Sequence, residues 1–187
     1  MNHLQPIKSL FFTLLILVAF TSCTKDDISE GSNFTSITVK LKSITEEHNK
    51  VYLDIEDVQL RISESPSNGW VSLNAINSGT HNVCDLRSDA ELMLADNFEI
   101  ASTFIYEIRL VLGDNNFIDL NNTLHSLDVT SLGNATPSNI VTTELIKHRF
   151  YNVTIEIDID NSVSYNEDEN MMILNPKLYT EIRQVQY

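Results

Sequence analysis

The stretch Tyr151-Asn-Val-Thr-Ile-Glu-Ile-Asp-Ile-Asp160 alternates apolar and polar side chains without a break. Successive side chains of a β-strand point to opposite faces, so this pattern predicts a strand with one buried face and one face in solvent. A helix would need its apolar residues three or four positions apart. The stretch therefore predicts a half-buried strand.

The same period of two recurs along the chain. Ile37, Val39 and Leu41 share one face of a predicted strand. Residues 51–62 change parity at Glu56-Asp57, which predicts a β-bulge, because one extra residue turns every later side chain to the opposite face. A continuous apolar face is predicted for Phe104, Tyr106, Ile108, Leu110 and Leu112. Shorter candidate strands are 70–74, 80–86, 117–120, 123–128, 140–147 and 172–183.

Strands that each carry one apolar face need a second sheet to cover them. Only residues 89–96 look helical, because an acidic first turn precedes good helix formers. The predicted fold class is therefore all-β: a two-sheet β-sandwich with one short helix or turn near residues 89–96. Tight turns are predicted at Asn68-Gly69, Asn115-Asn116 and Asn121-Asn122, since Asn and Gly tolerate left-handed backbone.

The amino terminus predicts a lipid anchor. One positive charge, Lys8, precedes an apolar run over residues 9–20, and small residues then lead to Cys23. This is the layout of a bacterial lipoprotein signal, in which the cysteine is acylated and becomes the first mature residue. The run is too short for a membrane-spanning helix, which needs about 20 residues. Phe20 stands where Leu, Val or Ile is usual; the alternative is an ordinary secretory signal cut near Ser22.

Three segments follow from this reading: a signal peptide over residues 1–22, a lipidated terminus with a flexible tether over 23–34, and a single β-sandwich domain over 35–187. Lys25, Asp26 and Asp27 are similar to the lysine-plus-two-acids export signal of Bacteroidota lipoproteins. We therefore expect the protein at the outer membrane, facing the cell exterior, with the membrane as its partner through acylated Cys23.

Composition narrows the possible partners. The chain holds 26 acidic and 12 basic residues, a formal net charge of −14. Such a surface repels phosphates, so nucleic acid is not an expected partner. Once Cys23 is acylated, Cys84 has no cysteine left to pair with, and we interpret it as a small buried apolar residue.

Several stretches of the chain match motifs of a known family. Ile108-Arg-Leu-Val-Leu-Gly113 fits an Ile-Arg-Leu-x-Leu-Gly strand, and Trp70-Val-Ser-Leu73 fits an early Trp strand. In these motifs the chain resembles a bacterial lipoprotein family, domain of unknown function 4382 (DUF4382). Thr136-Pro-Ser138, Asp158-Ile-Asp160 and Leu174-Asn-Pro176 are similar to later segments, so the likeness runs from about Ile37 to Ile182. The resemblance implies a lipid-anchored, prealbumin-like or immunoglobulin-like sandwich and supplies no activity. Glu46 to Asn49 replace the family's Asp-Ala-Pro, and its Gly-rich stretch is reduced to residues 139–142.

One acidic turn is a candidate calcium site, and no other cofactor is expected. Its oxygen-bearing residues are Asp158, Asp160, Asn161, Glu167, Asp168 and Glu169. Calcium takes six to eight such ligands, but Val163 stands where an EF-hand-like loop needs Gly. The alternative is a solvated, charged hairpin whose acids keep an edge strand from pairing with other chains.

Sequence motifs for common enzyme classes are missing. The chain contains no nucleotide-binding glycine motif, no G-x-S-x-G elbow and no H-E-x-x-H helix. Our first hypothesis is a surface-exposed, non-catalytic module that binds a glycan or a protein, or that has a structural role; an exposed aromatic groove near Trp70 or Phe117 would favour a glycan. The alternative is a carboxylate-based hydrolase of cell-surface polysaccharide, which predicts a deep cleft with two acids about 5–10 Å apart.

Overall fold

The structure is a computed structural model that describes residues 33–46, 49–65, 67–87, 90–129 and 138–186. The signal peptide, Cys23 and the export signal lie outside the described residues. Asn33–Tyr187 forms one compact unit. Its strands are β1 (Phe34–Ile44), β2 (Lys50–Arg61), β3 (Trp70–Ser72), β4 (Gly79–Asn82), β5 (Leu92–Ala101), β6 (Phe104–Leu112), β7 (Phe117–Leu120), β8 (Thr123–Val129), β9 (Ser138–Glu144), β10 (Phe150–Asp158), β11 (Val163–Asn166), β12 (Met171–Leu174) and β13 (Lys177–Val185).

The smaller sheet has four strands in the order β13-β10-β1-β5. Its two central strands, β1 and β10, run parallel, and their register places Val39 opposite Val153 and Leu41 opposite Ile155. All four of these side chains are fully buried. Residues 151–160 therefore alternate because one face of β10 packs against the core, as the sequence predicts.

The larger sheet has the order β11-β12-β8-β7-β2-β6-β9, and β3 and β4 also pair with β2. Apolar side chains from both sheets form one core, and the strongest contributions from the larger sheet come from β2 and β6. The predicted all-β, two-sheet sandwich is confirmed. Within the described ranges, no helix is long and apolar enough to cross a membrane.

The bulge predicted in residues 51–62 is confirmed. Ile55 pairs with Leu112 and Asp57 with Val111, so Glu56 is the extra residue, and it is exposed. The side chains of Ile55 and Val58 both enter the core although they differ in parity. One inserted residue thus lets a twelve-residue strand keep the same face buried along its length.

The apolar face predicted for residues 104–112 is only partly correct. A second register shift lies between Ile105 and Glu107, where β6 pairs with β9. As a result Ile105 is fully buried, whereas Phe104 is 38% exposed and Tyr106 only half-buried. The shift turns two aromatic rings, which pack at a centroid distance of 4.8 Å, away from the core.

The short helix or turn expected near residues 89–96 is wrong for residues 92–96, which begin strand β5. This strand pairs antiparallel with β1, and Leu94 and Ala95 are buried in the core. Pairing with an open sheet edge therefore outweighs local helix propensity, which is a weak preference. Among the described residues, a 3-10 turn forms at Val83–Asp85 instead.

Two of the three predicted turns contain the expected left-handed backbone, whereas Asn115-Asn116 lies in a connection without it. Asn121 and Asn122 both have positive φ, 53° and 63°, and join β7 to β8 in two residues. Gly69 has a φ of 82° in the connection from β2 to β3. Asn116, between β6 and β7, is buried; its Nδ2 donates to the carbonyl of Gly113 and its Oδ1 accepts from the amide of Asp54.

Candidate functional site

The first half of the candidate calcium site is a closed turn after β10. Both carboxylate oxygens of Asp158 accept hydrogen bonds from Asn161, at 3.0 Å from its backbone nitrogen and 2.8 Å from Nδ2. Asp160 accepts from the Thr45 hydroxyl at 2.6 Å and from the Glu46 amide at 2.7 Å. These acids therefore hold the turn and the end of β1 together.

The second half, Glu167 to Glu169, occupies the turn between β11 and β12. Asn166 organises this turn, since its Oδ1 accepts from the amide of Asp168 and its Nδ2 donates to Glu169 at 2.8 Å. Five residues separate the two halves, and the four of them that form β11 extend over about 13 Å at roughly 3.3 Å per residue. Nowhere in the described ranges do three His, Cys, Asp or Glu side chains form a group able to hold a metal ion.

A cluster of aromatic, cationic and amide side chains lies on the outer face of the larger sheet. Arg109 places its guanidinium carbon 4.0 Å from the ring centre of Trp70, a distance at which a cation is attracted to the ring. Its Nε and Nη2 both donate to Oε1 of Gln59, at 2.8 and 2.5 Å. We call Trp70, Arg109 and Gln59 the tryptophan–arginine face.

Arg61 lies directly beside this face and is hydrogen-bonded to several neighbouring groups. Its Nε donates to Glu107 at 2.9 Å, and its Nη1 donates to the carbonyls of Ser63 and Glu64. The guanidinium also lies 5.5 Å from the ring centre of Tyr106. Because Arg61 is only 8% exposed, these partners replace the water that its charge would otherwise keep.

Sequence reasoning named Trp70 but missed Gln59, Arg61 and Arg109 as its neighbours. Their alternate spacing along β2 and β6 indicates an outward face, yet it does not indicate which residues lie opposite each other. That information is in the register, which pairs Gln59 with Arg109 and Arg61 with both Glu107 and Trp70. Phe117, the other aromatic residue named from sequence, is half-buried opposite Ser126 on β8.

A second concave surface, the tyrosine groove, encloses about 700 Å³ beside the β11–β12 hairpin. Its walls come from two separate stretches of chain, and its lining residues are Leu120, His125, Ser126, Asp128, Tyr165, Asn170, Met171 and Met172. Tyr165 is 54% exposed, and its hydroxyl donates to Oδ1 of Asn170.

The position of Tyr165 explains why the groove is open. Tyr165 pairs with Met172, and Met172 pairs with Leu127, so the three side chains share one face of the sheet. Leu127 is buried on that face, whereas Tyr165 is exposed at the sheet edge. The smaller sheet therefore does not cover the whole core-side face of the larger sheet. At the uncovered edge, the ring of Tyr165 is exposed to solvent.

The groove has the composition of a small-ligand site. Such sites enclose roughly 300–1,000 Å³ and combine apolar walls with a few polar groups. Here the apolar walls are Tyr165 and two methionines, and the residues that supply polar groups include His125 and Asn170. Sequence reasoning noticed the acids of this hairpin and passed over Tyr165, whose exposure only the packing of the sheets reveals.

Two groups bear on the enzyme hypothesis. Glu56 and Asp57 line an open hollow of about 530 Å³, but Asp57 accepts hydrogen bonds from Gln59 at 2.9 Å and from the Ala75 amide at 3.3 Å. Cys84 is a free, buried cysteine, as interpreted from the sequence, and burial raises the pKa of its thiol. Hydrogen bonds within the fold hold Asp57, and Cys84 is buried, so both residues have the surroundings of groups that support the fold.

Comparison with known proteins identifies a family. The family model described as Domain of unknown function (DUF4382) matches residues 33–176. No curated protein and no solved structure matches the chain.

Proposed function

This chain belongs to the DUF4382 family, and on that premise we propose that it is a non-catalytic, lipid-anchored module that binds a glycan outside the cell. The ligand site in this proposal is the tyrosine groove. Cys23 carries the acyl chains, and Lys25, Asp26 and Asp27 direct export to the outer face of the outer membrane.

The anchor part of the proposal is supported by the amino-terminal sequence. Lys8, the apolar run over residues 9–20 and Cys23 have the order of a lipoprotein signal. Each buried CH₂ of an acyl chain contributes about 0.8 kcal/mol to membrane binding, so two or three chains hold a protein firmly.

The observation that supports glycan binding most directly is the exposed ring of Tyr165 within a groove of about 700 Å³. An aromatic ring offers a flat apolar face against which the C–H groups of a sugar ring can pack. Asn170 and His125 border the same groove and can exchange hydrogen bonds with sugar hydroxyls. The hydroxyl of Tyr165 is held by Asn170, which limits the rotation of the ring.

The hydrolase alternative has no comparable support. It asks for two carboxylates that flank a bound sugar, one of them available to give or take a proton. The tyrosine groove is lined by one carboxylate, that of Asp128. In the open hollow, Asp57 is tied to Gln59 and to the Ala75 amide. We therefore do not advance a hydrolase.

The binding site can be tested with neutral oligosaccharides. Thermal unfolding of the full-length protein in detergent would be followed with cello-, xylo-, manno- and laminarihexaose. A ligand at 100 times its dissociation constant stabilises the folded state by about 2.7 kcal/mol, so we expect at least one sugar to raise the melting temperature. Tyr165→Ala should abolish that shift.

Tyr179→Ala is the matched control, because Tyr179 is 55% exposed but lies on β13, in the smaller sheet. The tyrosine groove is overturned as the site if no sugar shifts the transition, or if both variants respond like the unaltered protein. The anchor is tested separately by intact-mass analysis, which should show a chain that begins at Cys23 and carries the mass of its acyl chains, whereas Cys23→Ser should carry none. An unacylated Cys23 in the unaltered protein would contradict lipidation at that position.

A further inference from the structure

We propose that the tryptophan–arginine face is a second binding site, which takes the single carboxylate of an acidic sugar at Arg109. This site is separate from the tyrosine groove and does not depend on it. Trp70, Arg109 and Gln59 lie on β3, β6 and β2, whereas the groove is built from β7, β8 and the β11–β12 hairpin.

The first observation concerns the hydrogen bonds of Arg109. A guanidinium carries five N–H donors and accepts none. Two of them, on Nε and Nη2, are directed at the same oxygen of Gln59. The edge formed by Nη1 and Nη2 donates to no acceptor among the described residues, and this edge matches the two oxygens of a carboxylate.

The second observation concerns charge. Acidic residues outnumber basic residues by 26 to 12, and the neighbouring Arg61 is paired with Glu107. Arg109 instead contacts a neutral amide and an aromatic ring, and within the described ranges it forms no ion pair. No carboxylate of the described residues therefore lies within ion-pair distance of Arg109, in a chain where carboxylates are plentiful.

The third observation concerns orientation. Stacking on Trp70 at 4.0 Å and the paired bonds to Gln59 fix the plane of the guanidinium. Gln59 is itself held, since its Nε2 donates to Asp57 at 2.9 Å. A donor that is oriented before binding loses little conformational entropy when the ligand arrives.

The adjoining hollow favours a sugar with one negative charge. Gln59 belongs both to this face and to the hollow of about 530 Å³, where Ser72 and Asn74 supply hydroxyl and amide groups that suit sugar hydroxyls. Glu56 and Asp57 also line the hollow and repel further anionic groups. The fitting ligand carries its carboxylate at the Arg109 end and uncharged hydroxyls over the hollow.

The chain's single tryptophan allows a local readout of binding. Cellobiouronic acid and cellobiose differ mainly by one carboxylate, and each would be titrated into the full-length protein while Trp70 emission is recorded. A charge-assisted bidentate contact should make the acid bind about tenfold more tightly than cellobiose. Equal affinities, or no saturable change with either sugar, would overturn the proposal.

Variants separate a contact with Arg109 from general electrostatics. Arg109→Gln should remove the preference for the acid, and Arg109→Lys should retain only part of it, because lysine keeps the charge without the fork. Arg183→Gln makes the same change in net charge on exposed β13 and should preserve the preference. If Arg109→Gln unfolds, Arg109→Lys decides: unchanged selectivity in that variant rejects the site.

A peptide carboxylate is the competing ligand. N-acetyl-trialanine carries one terminal carboxylate and no sugar hydroxyls, so it should bind more weakly than cellobiouronic acid. Tighter binding of the peptide would overturn the assignment to an acidic sugar. Tyr165→Ala should leave the response to cellobiouronic acid unchanged, which keeps this test distinct from that of the tyrosine groove.

Discussion

Arg61 and Glu107 form an ion pair of 2.9 Å on the outer face of the larger sheet, with side chains only 10% and 18% exposed. The two residues lie directly opposite each other on β2 and β6. Because little water reaches the pair, each charge depends on the other for its solvation. This pair and the Arg109–Trp70 stack lie side by side, and together they order the surface on which we place the acidic-sugar site.

Glu107→Gln should destabilise the protein by about 1–3 kcal/mol, because it leaves the buried Arg61 charge without its anion. Urea denaturation at pH 7 measures the loss. Glu181→Gln removes the carboxylate of the exposed Arg183–Glu181 pair and serves as the control, with no measurable change expected. Similar results for the two variants would show that the Arg61–Glu107 pair has no special stabilising role.

Gly69→Ala should destabilise more than Gly79→Ala. Both glycines have positive φ, 82° and 113°, so both variants carry backbone strain. At Gly69 a methyl group would also lie 2.4 Å from Cβ of Ser63 and 3.0 Å from its backbone nitrogen, whereas nothing lies within 4 Å at Gly79. The difference, about 1–3 kcal/mol from overpacking, is measurable by urea denaturation. Equal losses would mean that the turn relaxes without cost.

Glu91 makes stability depend on pH. Hydrogen bonds from Lys40 and Lys42, at 2.6 and 2.8 Å, lower the pKa of this carboxyl below its usual 4.5. A lowered pKa stabilises the folded state above the ordinary value, and that contribution is lost as the pH falls through the folded-state pKa. Glu91→Gln should therefore cost up to about 1 kcal/mol at pH 7, since the pair is near the surface.

The measurement for Glu91 is the difference in unfolding free energy between the unaltered protein and Glu91→Gln, followed from pH 7 downward. This difference should begin to shrink below pH 4.5 and should vanish once the pH has fallen through the lowered pKa of Glu91 in the folded protein. Subtraction removes the titration of the other acids, which the two proteins share. A difference that stays constant with pH would contradict the ion-pair origin of the shift.

Cys84 should be unreactive in the folded protein. The thiol is buried, and desolvation raises its pKa, so little thiolate forms near neutral pH. Cys23→Ser leaves Cys84 as the chain's single thiol. In that variant, labelling with a disulfide reagent at pH 8 should be much slower in buffer than in 6 M urea. Equal rates would place Cys84 at the surface.

The β-structure was predictable because its signal is local. Alternation along residues 151–160 and the parity change at Glu56-Asp57 depend on neighbours two positions apart. The same local reasoning failed at residues 92–96, where the edge of β1 recruits a segment that resembles a helix start. It failed also at Phe104 and Tyr106, because a register shift against β9 decides which side chains face the core.

The candidate sites were harder to predict than the fold. The acids at residues 158–169 attracted attention as a cluster in the sequence, but β11 holds their two halves apart. Trp70 and Arg109 are 39 positions apart in the chain and meet through pairing with the same strand, β2. Tyr165 had no sequence signal, because its exposure depends on where the smaller sheet ends.

By itself, the amino-acid sequence determined the all-β class, the apolar face of most strands, two of the three asparagine turns and the family. These properties depend on side-chain alternation and on short-range backbone preference, which are readable along the chain. Only the tertiary structure decided strand order, register and the cover of each sheet face, and hence both proposed binding surfaces. The physical reason is that cross-strand pairing joins residues distant in sequence through backbone hydrogen bonds, which are largely indifferent to the side chains they bring together.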